Sequence, residues 1–348
     1  MKSERTVSWL EAIQVYRRRP VITMFFLGFS AGLPFLLVFS TLTAWLTQEG
    51  LTKSAIGFFS WIGITYSIKV FWAPVVDRLR LPLLHRLLGQ RRSWILLAQS
   101  GILLGLVLMA QTDPLTQLTQ LAVFGVLVAF SSATQDISID AYRIEAAIPE
   151  YQAAMSATYV FGYRLALLVA GAGSLYIAEY WSWPLAYLVM GGLVGIGILT
   201  TLIAPRPEIT RPGMAPALLT AINERMEQLA HLPNRIAKVM AWFLEAVVGP
   251  FVDFCKRHGW MALGILGLVS VYRISDITMG VMANPFYLYM GFSLDQIADI
   301  TKVFGFLMTN AVTIFGGVLV VKYGISRILL LGAVMVAATN LLFAWMAS

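Results

Sequence analysis

The chain has 348 residues, of which 58% are hydrophobic and 12% charged, and its formal net charge is +7. Soluble domains carry roughly 25% charged residues, and a mean hydropathy of +0.75 leaves too little polar surface to cover a soluble fold. A disordered chain, a nucleic-acid-binding domain and a typical cytosolic enzyme are excluded, and a polytopic membrane protein is expected. The one cysteine, Cys255, forbids an intrachain disulfide, and His85, His231 and His258 are scattered through polar loops without metal-ligand spacing. No metal and no cofactor are expected.

A bilayer-crossing helix needs about 20 mostly apolar residues. Nine such spans are predicted, over 21–46, 54–76, 94–111, 118–141, 153–178, 184–204, 259–287, 297–321 and 326–346. The runs are continuous and long, which points to helices rather than barrel strands. Arg17, Arg18 and Arg19 precede an apolar run too long for a signal-peptide core, so the first span is expected to stay as an anchor. Twenty of the 25 lysines and arginines fall on alternate loops, the other loops carry only Lys53, and Lys69, Arg164, Arg273 and Lys302 lie inside spans. The positive-inside rule then places the N-terminus and the 205–258 loop in the cytoplasm.

The long loop divides the chain into a six-helix bundle (1–204), a cytoplasmic linker (205–258) and a partial bundle of three helices (259–348). In the linker, Leu229, Ile236, Val239, Met240 and Phe243 alternate with Glu224, Arg225, Arg235 and Lys238. That pattern suits an amphipathic helix, either on the membrane surface or in a soluble linker. A weak repeat relates Trp45–Ser60 to Tyr287–Lys302 and aligns Gly50 with Gly291, Thr52 with Ser293 and Ile56 with Ile297. Parallel halves about a long cytoplasmic loop are the major-facilitator plan. The expected fold is therefore an all-α bundle of that type, with six N-terminal helices and the first three helices of a truncated second half.

Ionisable residues inside spans are costly and mark function or ion pairing. On helix two, Lys69 lies at the depth of Gln135 and Asp136 on helix four, and Asp140 shares a face with Asp136. Lys69–Asp136, Asp140–Arg143 and Asp276–Lys302 are candidate ion pairs. Arg164 on helix five and Arg273 on helix seven are candidate anion-binding groups, since guanidinium suits bidentate carboxylate recognition. Asp136, Asp140 and Asp276 are candidate proton carriers. Asp77 and Arg78, with Arg91 and Arg92, form a candidate charge cluster that latches a helix end. Tyr142, Tyr163 and Tyr272 flank the charged positions as candidate cavity walls, while Gly28/Gly32, Gly101/Gly105 and Gly171/Gly173 permit close helix contact.

Four stretches together carry a resemblance: LGFSAGLPFLLVFSTLTAWL in helix one, IGFFSWIGITYSIKVFWAPVVDR in helix two, SSATQDISIDAYR in helix four and GYRLALLVAG in helix five. The chain resembles the AmpG family of anhydromuropeptide permeases, over about residues 20 to 345. The resemblance implies a proton-driven symporter in the bacterial inner membrane. Its cargo would be N-acetylglucosamine–anhydro-N-acetylmuramyl peptides, carried from periplasm to cytoplasm for peptidoglycan recycling. It implies roles for Lys69, Asp77, Gln135, Asp136, Asp140, Tyr163 and Arg164. Substrate contact is expected of Arg164, Arg273, Tyr163, Gln135, Lys69 and Lys302. The expected partners are this cargo, protons and membrane lipid, with no nucleic acid and a monomeric chain.

Two rivals stand beside this reading. Acetyl-CoA-type transporters share the Gln-Asp flavour of helix four, so another organic anion is an alternative cargo. An intramembrane prenyltransferase would use paired aspartates to hold magnesium and a diphosphate, and Asp136/Asp140 and Asp295/Asp299 have the D-x-x-x-D spacing. The topology sets those two pairs on opposite sides of a roughly 30 Å hydrocarbon core, where one diphosphate cannot meet both.

Overall fold

In the computed structural model, the residues described are 15–146, 151–207, 258–264 and 282–308, together with Glu224, 254–255, 266–267 and Met335. The expected linker helix, Tyr272, Arg273, Asp276 and the ninth span's course lie outside the described residues. Among those described, every regular element is helical. Six helical stretches are long and apolar enough to cross a membrane: Arg19–Gln48, Lys53–Phe71, Gln90–Ala110, Leu118–Glu145, Ala154–Tyr180 and Trp183–Ile203. They coincide with the first six expected spans and are numbered here as spans one to six.

Glycine sets how closely these spans approach. Span one packs most heavily on span five, span three on spans four and six. A Cβ added at Gly28 would overlap the carbonyl of Tyr159, and one at Gly162 the carbonyl of Phe25. Backbone therefore lies against backbone, as small-residue interfaces allow in lipid. This crossing fixes Tyr159, Tyr163 and Arg164 on span five relative to span one. Leu33, Leu37, Leu42, Trp45, Ile102, Leu106, Met109 and Tyr187 fill the buried core between spans one, three and six.

Span one is discontinuous. Its helix Arg19–Val38 stops at Phe39, where φ is −115° and ψ −104°, and resumes over Ser40–Gln48. Backbone groups freed inside a bilayer need partners, and they find them. Tyr187 donates its hydroxyl to the Leu37 carbonyl at 2.8 Å, and Asn284 donates its amide to the Ser40 carbonyl at 2.8 Å. Span five carries a wide π turn over Val169–Gly173, and Ala298–Phe304 forms another. Gly171 of the first π turn faces the Lys302 stem of the second.

The repeat seen in sequence has a local structural counterpart. Gly50 and Gly291 both adopt positive φ, 81° and 88°. At each, the amide after the glycine bonds back five residues: Leu51 to Leu46 and Phe292 to Tyr287. This is the Schellman closure, which glycine reaches without a Cβ penalty. Thr52 then caps the helix beginning at Lys53, and Ser293 caps Leu294–Ile297 through a reciprocal capping box with Gln296. The same turn chemistry thus recurs at the equivalent connection.

Candidate functional site

Span two ends irregularly. Tight 3₁₀ turns over Ser60–Gly63 and Ile68–Phe71 interrupt it, and Lys69 lies in the second. Trp72 anchors that end on span four: its indole N–H donates to Thr134 Oγ1 at 3.1 Å, and its ring packs on Phe130. The register brings Lys69 Nζ to 3.8 Å from Asp136 Oδ2. Tyr66, one turn before Lys69, sits beside Ser132, and Tyr159 and Tyr163 lie within electrostatic range of Asp136.

Span four presents Ser132, Gln135 and Asp136 on one face, at i, i+3 and i+4. Gln135 and Ser132 are fully buried. Ser30 donates to Gln135 Oε1 at 3.1 Å. Gln135 Nε2 and Asp136 Oδ1 of this patch are buried and have no hydrogen-bond partner among the described residues, while the Tyr66 and Ser132 hydroxyls face each other. Buried polar groups in native proteins are nearly always paired. Two such atoms side by side are a place where a buried water would find partners.

A second cluster lies at the end of the bundle where the Arg-rich second loop runs, here called the basic end. Arg91 Nη1 donates to Asp77 Oδ1 at 2.7 Å, Arg91 Nη2 to Glu145 Oε1 at 2.8 Å, and Arg91 Nε to the same carboxylate at 3.0 and 3.1 Å. The guanidinium is 4% exposed, and it ties the ends of spans two, three and four together. Arg92 stands apart from this cluster. It donates to the Thr201 carbonyl at 2.9 Å and the Leu202 carbonyl at 2.5 Å, so it caps the C-terminus of span six, where positive charge is favoured. Arg78 ends the short helix Ala73–Arg78. Glu145, the main acceptor of Arg91, is absent from the residues expected from sequence. Span four runs on to Glu145, four residues beyond the expected end, and so carries this carboxylate into the cluster.

The remaining candidates are placed as follows. Asp140 pairs with Arg143 at 3.7 Å within span four, on a largely exposed carboxylate. Tyr142 is buried and donates to the Pro205 carbonyl at 2.8 Å, which makes it a structural tie rather than a cavity wall. Lys302 Nζ reaches Ser40 Oγ at 3.5 Å, beside the break in span one. Lys302 and Arg164 line one cavity of about 240 Å³ with Leu36, Leu167, Leu168, Thr301, Gly305 and Phe306. Two basic side chains from different parts of the chain thus line one small cavity, and its other described lining residues carry no charge. Asp299 accepts a hydrogen bond from Tyr176, and Glu179 accepts from the Leu294 amide at 3.3 Å. These contacts tie span five to the 294–304 segment at the end remote from the basic one. Asp295/Asp299 and Asp136/Asp140 therefore belong to different neighbourhoods.

The profile of the Major Facilitator Superfamily matches residues 69–348. The chain is 32% identical over 335 residues to "Putative transporter AmpG 4" of Rickettsia felis, covering 96% of this chain and 75% of that protein. It is 32% identical over 331 residues to "Anhydromuropeptide permease" of Escherichia coli K12, covering 94% of this chain and 61% of that protein. It is 28% identical over 330 residues to "Putative transporter AmpG 3" of Rickettsia prowazekii, covering 94% of this chain and 74% of the relative. The fold is that of a multi-pass membrane transporter and not of an enzyme, and the chain belongs to the AmpG-type transporters of the Major Facilitator Superfamily.

Proposed function

We propose that the chain imports anhydromuropeptides across the bacterial inner membrane, from periplasm to cytoplasm, in symport with protons. The observation that carries this reading is the chamber shared by Arg164 and Lys302, on a chain related to an Anhydromuropeptide permease. Muropeptides carry several carboxylates, and a low-dielectric chamber holding two cations offsets their desolvation. Import of anions works against an inside-negative potential of about 2.3 kcal/mol per charge per 100 mV, so accumulation requires co-transported protons. Asp136 supports that requirement. It is a carboxylate inside a span with a lysine Nζ 3.8 Å away, and ionisable residues at membrane depth mark ion and proton pathways.

The test is uptake of labelled anhydromuropeptide into proteoliposomes containing the chain, with a proton gradient imposed. Wild type should accumulate cargo, and Arg164→Ala should lose uptake while retaining membrane insertion. Undiminished uptake by Arg164→Ala would overturn the assigned role. Accumulation of an acyl-CoA in place of the muropeptide would move the chain to the organic-anion alternative.

A further inference from the structure

The loop between spans two and three carries charge of one sign. Between Asp77 and Asp113 the sequence holds five arginines and no aspartate or glutamate. Arg91 and Arg92 turn inward, to Asp77 and Glu145 and to the last carbonyls of span six. Arg80 and Arg86 are exposed, and among the described residues neither belongs to an ion pair. Around Arg86 runs the short helix Pro82–Leu88. Leu83 and Leu87, four apart, share one of its faces and stand out from the protein, 80% and 67% exposed. Leu84, His85 and Leu88 are half-buried, so they form the side that rests on the bundle. The helix is held in place at both ends. Gln90 Nε2 donates to the Val76 and Leu79 carbonyls at 3.1 and 2.8 Å, and Arg206 donates to the Leu87 carbonyl at 3.0 Å.

A fixed helix with outward leucines on one face and unneutralised arginines at its flank has the pattern of a helix lying in a membrane interface. Its surroundings agree. Leu79 ends span two beside it, and Ile203 ends span six three residues before Arg206; they are 53% and 83% exposed. The leucine face therefore continues the apolar outer surface of the spans. The positive-inside rule sets this basic end at the inner leaflet, where anionic headgroups attract arginine. Guanidinium forks match phosphate oxygens, and a lipid with a net negative charge supplies what the loop's own sequence lacks. We propose that the helix Pro82–Leu88 is a docking site for anionic phospholipid of the inner leaflet. Leu83 and Leu87 enter the acyl boundary, while Arg80 and Arg86 take the phosphate-bearing headgroup. This site is independent of the cargo, and losing it would leave the transport reading intact.

Cys255 is the only cysteine, so Leu83→Cys in a Cys255→Ser background takes a single fluorophore. The full chain is placed in phosphatidylcholine nanodiscs with rising fractions of acyl-brominated quencher lipid, either phosphatidylglycerol or phosphatidylcholine. The label should be quenched by brominated lipid and shielded from aqueous iodide. Half-quenching should need an at least fivefold lower fraction of phosphatidylglycerol than of phosphatidylcholine, the factor that one arginine at an anionic surface supplies. Arg80→Gln with Arg86→Gln should bring the two lipids level while quenching by lipid persists. A label at Leu104→Cys, within span three and 54% exposed, should be quenched by both lipids alike. Quenching by iodide and not by lipid would put the leucine face in water and overturn the site. Shielding from both quenchers would show that protein covers the face, whether the linker of this chain or a partner, and would overturn it equally. Equal quenching of the Leu83→Cys label by the two lipids, an undiminished preference in the double arginine variant, or the same preference at Leu104→Cys would remove the anionic-lipid assignment.

Discussion

Two polar clusters on the same helix, span four, differ in one decisive respect. At its end, Glu145 meets Arg91 through three hydrogen bonds, with Asp77 taking a fourth. Further up the helix, Gln135 and Asp136 retain buried atoms with no partner among the described residues. Both clusters place charged or amide groups within an apolar bundle, at similar desolvation cost. The first recovers that cost from protein alone, so its natural role is to hold helix ends together. The second leaves part of it unrecovered, as expected for groups whose partner arrives from outside. A polar residue in a span is thus ambiguous by type, and its satisfaction separates a lock from a place that takes an outside partner.

The largest effect should come from breaking the lock. Arg91→Ala would remove the buried cation that bonds both Asp77 and Glu145, and removal of one partner of a buried pair costs about 3–5 kcal/mol. Folded yield in detergent and thermal melting should both fall steeply. A variant that melts like wild type would show that the cluster contributes nothing to stability.

Crowding the glycine crossing comes next. Gly162→Ala places a methyl group into the Phe25 carbonyl, and overpacking of this kind costs about 1–3 kcal/mol. Its melting temperature should fall, and uptake should fall with it, because Tyr163 and Arg164 ride on the displaced segment. Gln135→Glu puts a second carboxylate beside Asp136 at a fully buried position, and because burying an unpaired charge is costly its melting temperature should fall as well. The smallest effect is expected at Asp140→Asn. Its pairing with Arg143 is long and largely exposed, and exposed pairs are worth about 0–1 kcal/mol, so melting should shift by no more than a degree or two.

The sequence made the spans legible because continuous apolar runs of membrane length have few alternatives. The limits at Arg19–Gln48 and Trp183–Ile203 lie within two residues of expectation. The pairing of Lys69 with Asp136 was also readable, since opposite charges at one depth in a bilayer attract. The break at Phe39 was hidden. Its exposed carbonyls are repaired by Tyr187 and Asn284, which are remote in sequence, so nothing local announces it. Glu145 escaped because the helix outruns the apolar stretch that defines the span. Ser30 escaped for a different reason: a single small polar residue has no periodic signal, and its meeting with Gln135 depends on which helix faces which. A run such as Ser131–Ser132–Ala133–Thr134–Gln135 hinted at a polar face, and helical spacing from Asp136 would have singled out Ser132.

In the proposed symport, Asp136 links cargo to protons. The most direct measurement is accumulation of labelled anhydromuropeptide in proteoliposomes under an imposed pH gradient, for wild type and for Asp136→Asn. Wild type should concentrate cargo above the external level and lose it when an ionophore collapses the gradient. Asp136→Asn, folded and inserted, should equilibrate cargo without concentrating it. Gradient-driven accumulation by Asp136→Asn equal to that of wild type would contradict the claim.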